Sequence, residues 1–159
     1  MREYRINMTA WGLSRWAYEE LRAFCRQYPE KKATAAALLG INSSSRVEEH
    51  RLPNGKMIGA VMPRGNRTSD QVADAAAKRA PLLADCAMIE SAAIETDGGR
   101  WMNALILNCC HGVGYELIDP AVLPNCNRNA FFQARREFFF RLYSARNGVY
   151  FDTPGAVET

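Results

Sequence analysis

Apolar residues recur at helical spacing from the start of the chain. In residues 1–40 they lie three and four positions apart, which is the period of a helix packed on one side. The pattern predicts a first helix that begins at Ser14, a good N-cap, and ends at Tyr28. Pro29 suits the first turn of a second helix, and Gly40 suits its end. We therefore expect two short helices in this segment.

Residues 41–67 lose this period and are rich in Ser, Asn, Pro, Gly and charged residues. Asn54 and Gly55 form a favourable two-residue hairpin turn, with candidate strands on either side at Arg46–Leu52 and Lys56–Met62. A flexible linker fits the same composition. The sequence leaves a small hairpin and a flexible linker as alternatives for this segment.

The helical period returns at Thr68, which has capping-box spacing to a Gln, and it continues until Gly98 and Gly99. Pro81 lies midway and removes one backbone hydrogen bond, so the segment is either one kinked helix or two helices. The apolar run Trp101–Cys110 then predicts one more short helix. Tyr115–Ile118 provides about one further turn before Asp and Pro break it.

The last helix has clear boundaries in the sequence. Asn125 to Asn127 supply an N-cap, Arg128–Arg146 contains neither Gly nor Pro, and Asn147 with Gly148 supplies a left-handed end. On a helical wheel we expect one side to be buried, formed by Phe131, Phe138, Phe139, Leu142 and Ala145. We expect the other side to be exposed, formed by Asn129, Gln133, Arg136 and Phe140.

Together these elements predict an all-α fold. We expect an N-terminal helical segment at residues 1–40, a linker or small hairpin at 41–67, a helical bundle with a helix-turn-helix at 68–148, and a C-terminal tail at 149–159. The chain has 159 residues, of which 48% are hydrophobic, so a sizeable core is possible. The sequence shows no membrane span and Met1–Arg5 lacks a signal-peptide core, so we expect a cytoplasmic protein without a membrane partner.

Charge and cysteines narrow the function. The net charge of the chain is only +3, but residues 125–148 contain five Arg and one Glu. Such a local surplus suits contacts with DNA phosphates. The five cysteines are odd in number and lie mostly in apolar pattern, which indicates a reducing compartment. None of them has the spacing of a zinc site, so we expect neither a metal nor a cofactor.

The polar side of the last helix has the chemistry of base recognition. Asn and Gln can pair bidentately with adenine, and Arg can pair with guanine. Some of the Arg residues point toward the apolar side of the wheel, where their stems can pack on the core. The residues expected to bind DNA are Arg128, Asn129, Gln133, Arg135, Arg136 and Arg141.

Several motifs carry a resemblance to known proteins. Arg100–Cys110, Gly112–Ile118 and Asn127–Arg136 are similar to region 4 of sigma factors. Across most of residues 18–146 the chain resembles small prophage proteins of Gram-positive bacteria that are related to phage late-transcription regulators. The segments that carry this second resemblance are Tyr18–Pro29, Met62–Gly65 with Ser69 and Asp70, Cys86–Glu90 with Ala93–Glu95, and Phe131–Phe139. Asp119–Pro124 departs from the sigma pattern, because it is about two residues longer and contains two prolines.

The resemblance implies a phage-derived transcription regulator that binds double-stranded DNA with the helix from Arg128 to Arg146. Host RNA polymerase is a further expected partner, and we expect a homodimer. The alternative is a phage structural or packaging accessory protein whose aromatic helix is a protein–protein surface, which an exposed Phe140 would favour. His50 and His111 have no nucleophile and carboxylate arranged around them, so we expect no enzyme and no catalytic residue.

Overall fold

The computed structural model describes residues 12–43, 49–51, 57–59 and 67–148, with the side chains of 12–39 and 70–148. The fold is all-α, as predicted, with one short hairpin. Its helices and strands are α1 (Arg15–Arg26), α2 (Tyr28–Ser43), β1 (Glu49–Arg51), β2 (Met57–Gly59), α3 (Arg67–Glu95), α4 (Met102–Leu105) and α5 (Arg128–Asn147). Further short turns are of the 3-10 type at Thr96–Gly99, Tyr115–Leu117 and Pro120–Val122, and of the π type at Ile106–Cys110. None of the described helices combines the length and the apolar character needed to cross a membrane.

The described residues divide into two compact units, one formed by 12–31 with 84–148 and the other by those between 32 and 83. The second unit contains β1 and β2, which pair antiparallel with Glu49 opposite Gly59 and Arg51 opposite Met57. The proposed turn at Asn54 and Gly55 lies outside the described residues. The four-part division at residues 40, 67 and 148 stays a prediction, and its tail at 149–159 also lies outside the described residues.

The first three helices follow the predicted pattern with two corrections. Ser14 caps α1 as predicted, because its Oγ accepts a hydrogen bond from the Ala17 amide at 3.1 Å. The expected end of α2 at Gly40 is wrong, since the helix continues to Ser43. A glycine inside a helix costs only about 1 kcal/mol relative to Ala, so it does not force an end. α3 runs for 29 residues through Pro81, and the two-helix alternative is therefore also wrong.

A single hydrophobic core holds the first unit together. α1, the C-terminal part of α3, α4 with the π-turn, and α5 all contribute to it. Its largest fully buried side chains include Leu21, Ile89, Leu105, Phe131, Phe138, Phe139 and Leu142. Aromatic rings meet edge to face within it, with centroids 5.0 Å apart for Tyr18 and Phe139 and 6.0 Å for Trp101 and Phe131. Such pairs stabilise a core beyond their buried area.

The segment Trp101–Cys110 differs from the single short helix predicted for it. α4 occupies only its first part, and Ile106–Cys110 forms a π-turn in which the His111 amide donates to the Ile106 carbonyl at 3.2 Å. A π-turn holds one more residue than an α-turn. Cys109 and Cys110 are both buried although they are neighbours in sequence.

α5 begins and ends where the sequence predicts. The Asn127 side chain accepts hydrogen bonds from the amides of Asn129 at 3.0 Å and Ala130 at 3.3 Å. At the other end Gly148 adopts a left-handed conformation with φ 62°, and its amide donates to Ser144. Both caps satisfy backbone groups that a helix leaves unpaired.

Of the nine residues assigned to the two faces of α5, six lie as predicted, two do not, and Arg136 is half-buried. Four of the five residues expected inside are buried, but Ala145 is exposed. Phe140, expected outside, is only 6% exposed. Successive residues of a helix point about 100° apart, and Phe138, Phe139 and Phe140 are all buried. The middle of α5 is therefore enclosed from several directions, which a wheel based on one helix cannot show.

Candidate functional site

The six residues predicted to bind DNA lie along α5, but their exposure differs. Arg128, Asn129 and Gln133 are exposed, whereas Arg135, Arg136 and Arg141 are half-buried. No side chain between positions 134 and 144 is exposed. The accessible polar edge of α5 therefore covers about its first two turns.

Arg128 lies at the first position of α5 and is held by an acid and two rings. Its Nη1 lies 2.5 Å from Oε1 of Glu116. Its Cζ lies 5.9 Å from the ring centroid of Tyr115 and 5.4 Å from that of Phe132. A guanidinium at these distances interacts favourably with the face of an aromatic ring. These neighbours orient the Arg128 side chain in the ligand-free protein.

Arg135 turns toward the core of the first unit. Its Cζ lies 5.5 Å from the ring centroid of Phe139 and 6.0 Å from that of Phe132. Its positive charge lowers the pKa of the Cys109 thiol, against the larger opposite effect of burial. The stem of this residue packs on apolar side chains, as the wheel suggested for some of the Arg residues. The described contacts of Arg135 are with residues of the core and help to hold α5 in place.

Arg141 forms ion pairs with two carboxylates. Its Nε and Nη2 both lie 2.9 Å from Oε1 of Glu137, one helical turn earlier. Its Nη1 lies 3.7 Å from Oε2 of Glu95, at the end of α3. These two carboxylates neutralise the guanidinium and connect α5 to α3.

Asn129, Gln133 and Arg136 remain as the polar edge that the wheel predicted. The first two are exposed, and their spacing of four residues places them on the same side of the helix. Arg136 follows three residues later and is half-buried. Its Nε is buried without a hydrogen-bond partner among the described residues. We name the side chains of Asn129, Gln133 and Arg136 the amide edge.

The chain reaches this edge through two short 3-10 turns. Asp119 Oδ1 accepts from the Ala121 amide at 2.9 Å, and Asn125 Oδ1 accepts from the Asn127 amide at 3.0 Å. Such side-chain to backbone bonds fix the turns locally. A helix-turn-helix has an α-helix in this place, whereas residues 112–127 contain only these two turns, so the predicted helix-turn-helix stays a prediction.

Three buried cysteines of the first unit, Cys25, Cys109 and Cys110, lie close enough to influence one another. The Cys25 thiol is hydrogen-bonded to that of Cys110, which together with burial raises the pKa of Cys25. Burial also raises the pKa of Cys109 to about 11, although Arg135 and Arg26 act against it. Thiols with raised pKa values are poor nucleophiles at neutral pH. Among the described residues, no group of three or more His, Cys, Asp or Glu side chains could hold a metal ion.

The described side chain of His111 is not part of a recognisable catalytic group. His111 is exposed, and its ring centroid lies 6.4 Å from that of Tyr28. The Tyr28 hydroxyl donates to Oε1 of Glu90 at 2.6 Å. Burial, followed by this hydrogen bond, raises the pKa of Tyr28. The bond ties the start of α2 to α3, and the side chain of His50 in β1 is not among those described.

Sequence reasoning missed Glu116 and the two rings that hold Arg128. Glu116 precedes Arg128 by twelve residues and comes from a different element, so no helical spacing connects them. Tyr115 was noticed only as part of a sigma-like motif. The signal that could have suggested this arrangement is an aromatic and an acidic residue side by side in the segment that leads to a basic helix.

Comparison with known proteins gives no family for this chain. None of the protein-family models, curated proteins or solved structures matches it. The features that bear on function are therefore those of the molecule itself: the amide edge of α5, the guanidinium of Arg128 beside it, and the core that holds both.

Proposed function

We propose that the protein is a cytoplasmic DNA-binding regulator of transcription that places the first two turns of α5 in the major groove. The observation that supports this proposal is the amide edge at the N-terminal end of a 20-residue helix whose opposite side is buried. Recognition helices contact base edges with residues near their N-terminus. Asn129 and Gln133 suit adenine, and Arg136 suits guanine.

The packing beneath the amide edge favours recognition of DNA bases over non-specific electrostatic binding. Phe131 and Ala134, which alternate with the edge residues along α5, are buried in the core. Asn127 caps the same end of the helix. Side chains on a rigid, well-packed element keep the geometry that base contacts require.

The charged residues of the first unit predict few contacts between the protein and DNA phosphates. The described residues of the first unit, 12–31 and 84–148, contain ten Lys and Arg and ten Asp and Glu. Arg141 is neutralised by acids, Arg135 packs on the core and Arg136 is assigned to a base, which leaves Arg128 beside the amide edge for a phosphate. Each phosphate contact contributes a slope of about −0.9 to the logarithm of affinity against the logarithm of salt concentration. We therefore expect a shallow slope of about −1 per protomer.

The assignment to transcription rests on the resemblance to sigma region 4 and to phage late-transcription regulators. In that setting the protein acts at phage promoters, with host RNA polymerase as a partner. A homodimer would read two half-sites one helical turn apart, about 34–36 Å. The preferred DNA would then be an inverted repeat.

Selection from a randomised duplex library tests the DNA-binding function. We expect a short motif to be enriched. Fluorescence anisotropy across a salt series then measures the affinity of the protein for the enriched duplex. Gln133→Ala and Asn129→Ala should each weaken it by about 1–3 kcal/mol and relax the preference at one base pair. Asn147→Ala is the matched control, because Asn147 is exposed at the far end of the same helix.

Two results would contradict the proposal. One is the absence of any enriched motif together with no binding at about 50 mM salt, where phosphate contacts are strong. The other is binding that Gln133→Ala, Asn129→Ala and Asn147→Ala leave equally unchanged. Melting curves of the three variants show whether any loss of binding comes from unfolding.

A phage accessory protein remains the second candidate, now for a different reason. Phe140 is buried and no longer supports it. Trp16 on α1 is 76% exposed and Leu117 is 81% exposed, and large exposed apolar side chains are typical of protein contacts. This function predicts that Trp16→Ser disrupts association with another phage protein while Gln133→Ala does not.

A further inference from the structure

Arg128 directly precedes Asn129 of the amide edge, and its guanidinium already has an anionic partner. Glu116 Oε1 lies 2.5 Å from its Nη1, and the two side chains are 64% and 51% exposed. The guanidinium donates a charge-assisted hydrogen bond to this carboxylate. The carboxylate therefore occupies a place on the guanidinium that a phosphate oxygen would need.

Two features favour binding of a phosphate at the position that the Glu116 carboxylate occupies. The rings of Tyr115 and Phe132 lie near the guanidinium, so it is oriented where it stands. The N-terminal end of a helix also carries partial positive charge, which favours any anion placed there. A phosphate and the Glu116 carboxylate are thus attracted to the same guanidinium at the same end of α5.

We propose that Glu116 is an intramolecular competitor of DNA phosphate for Arg128 and thereby lowers the affinity of the protein for duplex DNA. This inference rests on the proposed function and concerns the same site. Phosphate contacts position a protein on DNA without reading sequence. A competitor for such a contact therefore reduces binding to all sequences by a similar factor, including the large excess of non-specific sites in a genome.

The size of the effect follows from exposure. Ion pairs between exposed side chains are weak because water screens them. Glu116→Gln removes the negative charge and keeps the shape of the side chain. We expect this variant to bind both an enriched duplex and an arbitrary duplex of about two helical turns more tightly, by about two- to fivefold.

A double-mutant cycle separates competition from a general change in charge. Fluorescence anisotropy on both duplexes compares wild type, Glu116→Gln, Arg128→Ala and the double variant. Glu116→Gln should strengthen binding in the wild-type background and have little effect once Arg128 is absent. Asp119→Asn is the matched control, because it removes a nearby charge whose described contact is the Ala121 amide.

The inference is overturned if Glu116→Gln does not raise the affinity for DNA. It is also overturned if Glu116→Gln raises the affinity equally in the Arg128→Ala background, or if Asp119→Asn raises the affinity as much as Glu116→Gln does. These results leave the proposed function standing when wild type binds the enriched duplex. If wild type and Glu116→Gln both fail to bind either duplex at about 50 mM salt, the proposed function falls together with this inference. Melting temperatures of all variants should stay close to wild type, since the pair is exposed.

Discussion

The beginning and the middle of α5 differ although both belong to one continuous helix. At the beginning, Asn129 and Gln133 are exposed and the apolar residues occupy one side. In the middle, Phe138, Phe139 and Phe140 are all buried, and the polar side chains beside them are half-buried. The beginning can meet a ligand, whereas the middle holds the first unit together.

This difference shows how one helix can combine recognition and stability. The middle fixes the axis and rotation of α5, and the beginning presents side chains from that fixed position. A change at the beginning should therefore affect binding and leave folding nearly intact. A change in the middle should do the reverse, and the three predictions below test this separation.

Phe140→Ala tests the enclosed middle and should have the largest effect. Truncating a buried Phe costs about 3–5 kcal/mol, because apolar contacts are lost and a cavity remains. The free energy of unfolding from urea titration should fall by this amount, while Gln133→Ala should change it by less than about 0.5 kcal/mol. A loss below about 1 kcal/mol for Phe140→Ala would mean that this side of the helix is open, and would restore it as a protein-binding surface.

Asn127→Ala tests the boundary where the exposed part begins. The variant removes the acceptor for the amides of Asn129 and Ala130, and loss of such a cap costs about 1 kcal/mol. Thermal unfolding should show this decrease, while Asn127→Asp should keep the cap and stay near wild type. If Asn127→Ala is as stable as wild type, the first turn of α5 is not held by its cap.

Arg141→Ala tests where the DNA-contacting part ends and should have the smallest effect. Its partners Glu137 and Glu95 are partly exposed, so loss of the ion pairs should cost less than about 1 kcal/mol of stability. DNA affinity should not change, whereas Arg136→Ala should weaken it. Equal loss of affinity in both variants would extend the contact surface along α5 beyond the amide edge.

Sequence was sufficient where the determining interaction is local. Ser14, Asn127 and Gly148 mark helix ends through bonds to backbone groups a few residues away. The end of α2 predicted at Gly40 was wrong because a helix tolerates a glycine when the residues after it remain helical. The same local logic recovered the exposed positions of Asn129 and Gln133, which depend on the first two turns alone.

Sequence was insufficient where a distant segment decides the environment. The wheel placed Phe140 beside Gln133, but it could not show that the middle of α5 is covered on this side too. It could not show that Glu95 and Glu137 neutralise Arg141, or that Arg135 packs against Phe139. Two of the six residues expected to bind DNA, Arg135 and Arg141, make such contacts, which no helical period contains.

The π-turn at Ile106–Cys110 has a consequence for how the length of this chain can change. A helix that holds one extra residue in a single wide turn can lose that residue and return to ordinary α-helical bonding. The flanking segments then keep their places, so a deletion here need not rotate everything that follows. Elsewhere in a buried helix the same deletion would turn all later residues by about 100°. The core of the first unit thus contains one place where evolution can add or remove a residue without rebuilding its packing.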